Sequence, residues 1–254
     1  MLFDTHAHLN DPAFDEDRDA LLLGLKEKGV EFVMNVGCCL DSSKDCIAMA
    51  EKYPFVYASV GSHPDSAAEI NDEVLEQYRQ MAKHPKVKAI GEIGLDYYYE
   101  DPSRDIQKKA FRMQMELVRE TGLPVIIHER DAHDDGMRMV KEFKDVTGVF
   151  HCYSGSAEMA RQLVEMGWYI GFTGVLTFKN ARKAVETAQR IPLDRIVLET
   201  DCPFMAPEPF RGKRNDPGYL FRMAEKLAEI RGISTEEAIA ATTENAKRLY
   251  RIED

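Results

Sequence analysis

Apolar residues recur along the chain in two alternating rhythms. Eight short runs, MLFDTH, EFVMNVG, VYASVG, VKAIGEIG, PVIIHE, GVFHCY, WYIGFTG and RIVLET, are dense enough in apolar positions to form buried strands. Between them lie longer stretches such as DEDRDALLLGLKEKG, EVLEQYRQMAKH and QKKAFRMQMELVRETG. Their apolar residues return every three or four positions, which predicts helices with one covered face. Gly29, Gly122, Gly148 and Gly167 each follow a helical stretch, where a left-handed terminal residue is wanted. Ser234 with Glu237 reads as a capping box opening the last helix, which carries Ile239, Thr242, Ala246 and Leu249 on one side.

Eight strand–helix alternations, with no low-complexity linker and no internal repeat, predict one α/β domain over residues 1–254, built as a (β/α)8 barrel. A doubly wound open sheet is the rival. It favours a Gly-rich turn after the first strand, where this chain has HAHLND.

Charge narrows the function. A formal net charge of −11 opposes coating of nucleic-acid backbones, so a phosphate-bearing substrate needs positive charge supplied locally. Metal ions are one source. No apolar run approaches the ~18 residues of a membrane span, and the N-terminus lacks a basic segment followed by an apolar one. The expectation is a cytoplasmic protein without membrane association. The five cysteines form no CxxC pair and read as reduced, mostly buried thiols.

In a barrel, chemistry collects at the C-terminal ends of strands. His6 and His8 end the first run, and on a strand they share one face with Asp4. His63 follows the third run, Glu92 ends the fourth, His128 the fifth and His151 the sixth, and Asp201 follows the eighth. Only His84 and His133 of the seven histidines fall elsewhere. Four imidazoles and two carboxylates supply N and O donors for two divalent ions, with Glu92 the natural shared carboxylate. Plainer roles exist for single residues. His63 alone reads as a hydrogen-bonded core histidine, and Asp96 and Asp11 as caps of following helices. Asp4 lies deeper and reads as holding a histidine tautomer. Lys88 lies two pleats below Glu92, badly placed for a carbamate bridge, and Ser154 is either a substrate contact or a helix N-cap. For His6, His8, Glu92, His128, His151 and Asp201 together, coincidence requires six separate plain explanations.

The series DTHAHL, GSHP, GEIGLDYY, HERDA, HCYSGS and LETDCPFMAP, followed by RGKRNDP, resembles the successive motifs of the TatD family of metal-dependent deoxyribonucleases. The resemblance covers nearly the whole chain, in order. It implies an amidohydrolase-like (β/α)8 barrel with two divalent ions. His6, His8, Glu92 and Asp201 would hold one, and Glu92, His128 and His151 the other. Family members are described as DNases, often removing nucleotides from DNA ends, and some related proteins deacylate mischarged tRNA. This chain has Cys202 where serine is frequent, Glu129 where a smaller residue is frequent, and Asp216 where glutamate is frequent. These lie outside the ligand set and bear on substrate preference.

The resulting expectation is a two-metal phosphodiesterase acting on DNA, in which a hydroxide bridging the ions attacks phosphorus. Glu92 and Asp201 are the catalytic residues, Asp201 also taking a proton. His63 and Arg211 are expected to contact the phosphate. The ions are zinc, manganese, nickel or cobalt, with magnesium an option in the weaker site. With basic residues near the mouth limited to a few such as Arg130, Lys179, Arg211 and Arg214, single-stranded or frayed ends are the expected substrate, and no obligate protein partner is evident. The main alternative is ester or amide hydrolysis, including aminoacyl-tRNA deacylation. A non-enzymatic metal or nucleotide-binding protein is the third reading.

Overall fold

Every residue of β1 (Leu2–Ala7) is buried, as expected of a parallel strand covered on both faces. The computed structural model describes residues 1–253 and turns each of the eight apolar runs into a strand. After β1 come β2 (Val30–Val36), β3 (Val56–Val60), β4 (Val87–Asp96), β5 (Val125–Arg130), β6 (Gly148–Phe150), β7 (Tyr169–Phe172) and β8 (Ile196–Leu198). The interleaved helices are α1 (Arg18–Leu23), α2 (Leu40–Lys52), α3 (Asp72–Met81), α4 (Arg104–Thr121), α5 (His133–Glu142), α6 (Ala157–Glu165), α7 (Arg182–Arg190) and α8 (Leu220–Arg231), with α9 (Thr235–Tyr250) last. The strands neighbour one another in chain order, β1 to β8, and the fold is a (β/α)8 barrel. Among the described residues no helix is long and apolar enough to cross a membrane. The chain divides into two compact units, Met1–Asn35 with His151–Asp254, and Val36–Phe150.

In the first unit, β1 pairs in parallel with β2, and β7 with β8. Ala7 bridges Cys202, and Thr5 Oγ1 donates to the Leu198 carbonyl at 3.1 Å. α9 closes this region from outside. The Tyr250 hydroxyl donates to the Thr5 carbonyl at 2.9 Å, and Asn245 donates to the carbonyls of Leu193 and Ile196. Its start is the expected capping box of Ser234 and Glu237.

The second unit pairs β3, β4, β5 and β6 in parallel. α4 does more than cover the sheet. Gln114 exchanges two hydrogen bonds with the Ser62 backbone, while Gln107 takes the Asp96 N–H and donates to the Asp96 and Pro102 carbonyls. These buried glutamines, seven residues apart, brace the chain beside His63 and at the end of β4.

Three local expectations change. Gly29, Gly122 and Gly167 take positive φ, but Gly148 does not. It opens β6 opposite Val125, and a Cβ there would lie 1.9 Å from the Val125 carbonyl oxygen. Close strand approach, rather than helix capping, requires that glycine. The N-cap of α6 is Ser156, whose side chain accepts from Met159 N, and Ser154 lies exposed before it. In DEDRDALLLGLKEKG the α-helix is confined to Arg18–Leu23, with turns carrying the rest.

Candidate metal centre

Alternate positions at the end of β1 send His6 and His8 to one side, their Nε2 atoms 3.1 Å apart. Asp201 joins them from the loop after β8, with Oδ1 3.4 Å from His8 Nε2 and 3.7 Å from His6 Nε2. Its backbone is left-handed, at φ 54°, and its N–H donates to the His6 carbonyl at 2.8 Å, so the carboxylate is fixed relative to β1. His151 stacks flat on His6 with ring centroids 3.9 Å apart. Behind it lies Glu199, whose Oε1 is 3.8 Å from His151 Nδ1. His6, His151 and Glu199 bring ligand atoms within 4.8 Å of one another.

Glu199 was not singled out in the sequence, although an acid immediately after the apolar run IVL was a visible signal. It is fully buried, accepts from the Cys152 N–H and lies against Thr5 Oγ1. A Cβ on Gly171 would come 2.7 Å from its carboxylate, which accounts for glycine there. Burial pushes the Glu199 carboxyl well above its usual pKa, against the lowering pull of Cys152 N–H. Asp4 is also corrected. It holds no histidine ring. It accepts from Thr200 N at 2.8 Å and Thr200 Oγ1 at 2.5 Å, joining β1 to the strand end that carries Asp201. Burial outweighs these bonds and raises Asp4 to about 7.

The second unit carries donors of its own. Glu92 Oε2 is 3.5 Å from His128 Nδ1, and the His63 ring stands edge-on to His128 at 4.3 Å. Ligand atoms of His63, Glu92 and His128 lie within 4.8 Å of one another, so His63 belongs to a polar cluster and is not an isolated core histidine. Asp96 is more than a cap. It accepts from Tyr98 N, and its Oδ2 lies 3.1 Å from the opposite nitrogen of His128. Burial disfavours the His128 imidazolium, but Asp96 and Glu92 outweigh it and raise its pKa to about 9.

The end of β2 carries no histidine or acid, yet it positions this set. The Gly37 carbonyl accepts from Glu92 N at 2.9 Å, and the Cys38 carbonyl from His63 N at 2.8 Å. The Cys38 thiol lies 3.3 Å from Glu92 Oε1. Lys88 is remote from this chemistry, its ammonium near the Tyr57 ring. Arg211 is exposed, with its guanidinium 4.3 Å from the Phe178 ring. Cys202 is buried, and Glu129 holds His133 and the Ala132 N–H at the start of α5.

The residues fit divalent cations. Asp4, Glu92, Asp96, Glu129, Glu199 and Asp201 are all buried, and among the described residues no lysine or arginine is buried with them. Buried carboxylates need protons, partners or metal ions, and imidazole nitrogens beside carboxylate oxygens are the donor mixture that transition-metal ions take.

A sequence model of the TatD-related DNases matches residues 3–251. The chain is 46% identical to the uncharacterized metal-dependent hydrolase YabD of Bacillus subtilis, over 99% of this chain and all of that one. It is 35% identical to the uncharacterized metal-dependent hydrolase YcfH of Escherichia coli K12, over 100% and 97%. The crystal structure of YjjV, a TatD homologue from Escherichia coli K12, superposes with a TM-score of 0.93 at 32% identity, covering 99% of this chain and 98% of that one.

Proposed function

Because the chain belongs to the TatD-related family of metal-dependent hydrolases, we propose that it hydrolyses phosphodiester bonds of DNA, working from single-stranded or frayed ends. The observation that carries this reading is the placement of imidazoles beside buried carboxylates at strand ends in both units, without buried lysine or arginine among the described residues. In this reading His6, His8, Glu92 and Asp201 hold one ion, and Glu92, His128 and His151 the other, Glu92 being common to both. When bound, such ions supply Lewis acidity toward a phosphoryl oxygen and lower the pKa of water at the site.

The chain's own residues do the rest. Asp201, fixed by its N–H to the His6 carbonyl, accepts the proton given up by the attacking water. Asp96 orients the His128 ring from its far nitrogen. His63 and Arg211 contact the phosphate. DNA is the macromolecular partner, with no obligate protein partner. We place the protein in the cytoplasm, where reducing conditions suit a chain whose five cysteines form no CxxC pair.

The test is reconstitution of metal-stripped protein with a series of divalent ions, assayed on end-labelled single-stranded, duplex and closed circular DNA and on an aminoacyl ester. The expected result is end-dependent DNA cleavage restored by zinc, manganese, cobalt or nickel, and more weakly by magnesium. Ester hydrolysis without DNA cleavage would replace the nuclease reading with that of a deacylase.

A further inference from the structure

Immediately after Asp201 the chain exposes two large apolar side chains, Phe204 at 54% and Met205 at 41%. Exposed apolar residues at a loop tip are ordinary where the loop is loose. This loop is tightly held. His8 N–H donates to the Cys202 carbonyl at 2.8 Å, and Phe204 N–H to the Asp201 carbonyl at 2.9 Å. The fully buried Asn215 donates from one amide nitrogen to the Thr200 and Phe204 carbonyls, at 2.8 and 2.7 Å. Gly174 has no room for a Cβ because the Met205 carbonyl oxygen would lie 1.9 Å away, and Met205 itself sits at φ 54°. The Phe204 ring is therefore presented to solvent by a braced backbone. It is tilted 62° to His8, with ring centroids 6.3 Å apart.

We infer that Phe204 is a stacking platform for the nucleobase next to the phosphate that would be drawn to the ion held by His6, His8 and Asp201. This rests on the DNA reading above and names how that substrate is gripped. A flat apolar face beside a candidate metal-ligand set suits a planar aromatic group joined to a phosphate, which describes a nucleotide. Stacking also adds affinity without added positive charge, which matters in a chain of net charge −11. Because every base has a π face, the grip is indifferent to sequence.

The experiment measures binding of a fluorescein-labelled single-stranded oligonucleotide, made hydrolysis-resistant with phosphorothioate linkages, to the metal-loaded enzyme. Wild type, Phe204→Ala and Phe204→Trp are each titrated with a full oligonucleotide and with one abasic at its terminal nucleotide. Removing the base should weaken wild-type binding about 5- to 150-fold, Phe204→Ala should lose a similar factor, and the two losses should not add. Phe204→Trp should bind as wild type. Bound cobalt, read from its visible spectrum, should be unchanged in all three proteins. If Phe204→Ala binds the full oligonucleotide as tightly as wild type, or the abasic penalty persists undiminished in that variant, the platform is overturned while the nuclease reading stands. No binding by wild type overturns both. Conversion of a dimer to a monomer by Phe204→Ala, with oligonucleotide affinity unchanged, assigns the ring to self-association instead.

Discussion

His128 sits between two carboxylates, and replacing either one separates positioning from ligation. Asp96→Asn preserves shape but removes the charge at 3.1 Å from His128 Nε2. Metal affinity should fall about 10- to 100-fold by chelator competition, with the fold intact. Glu92→Ala should abolish activity while circular dichroism stays native, and a nearly active variant would move the shared carboxylate elsewhere. Cys202→Ser should retain most activity, since the buried thiol is packed and lies outside both donor sets. At this scale the candidate donors were legible because a histidine or acid at the end of an apolar run breaks the pattern. Asp96 was read only as a cap because its partner lies 32 residues away and no local spacing reveals it. Cys38 was invisible for another reason. It acts partly through its carbonyl, which any residue at position 38 would possess.

Strand existence was written in the apolar runs, while the tightness of strand approach was not. Gly148 shows the difference, because its neighbours in sequence suggested a helix end and its neighbour in space is the Val125 carbonyl. Gly148→Ala should cost about 1–3 kcal/mol or more through overpacking, read as a shift in the urea midpoint. Gly122 at the end of α4 has open space around its Cβ position and a φ of 65°, so Gly122→Ala should cost only about 1–2 kcal/mol of backbone strain. Equal losses would mean that β5 and β6 yield more easily than their register suggests. α4 carries the same lesson. Gln107 and Gln114 read as ordinary polar positions in a helical stretch, and only the fold turns them inward onto the Asp96 and Ser62 backbones.

For the whole molecule, charge sets the terms of both stability and substrate choice. Ions bound among buried carboxylates stabilise the native state by mass action, about 2.7 kcal/mol at a free concentration of 100 Kd. Chelation should therefore lower Tm on the order of 5–10 °C, measured by scanning calorimetry. The basic residues expected near the mouth are largely committed within the protein. Arg214 grips Asp17 through both nitrogens, at 2.7 and 2.6 Å, and lies over Phe14. The Arg130 guanidinium sits 3.8 Å from the Tyr98 ring centroid, and Arg211 4.3 Å from that of Phe178. Stacked guanidiniums keep their charge, but Arg214 must break an ion pair before it neutralises a phosphate. Few phosphates can then be engaged at once. Single-stranded binding should show a log–log salt slope shallower than about −3, given roughly −0.7 per phosphate contacted. Neutralising Asp17 with Asp17→Asn should release Arg214 and steepen that slope by at most one contact. So short an electrostatic grip suits a strand end held at its terminal nucleotides, and it suits poorly a duplex laid across a surface. A steep slope together with efficient nicking of closed circular duplex would falsify this end-binding picture, because only an extended basic groove produces both.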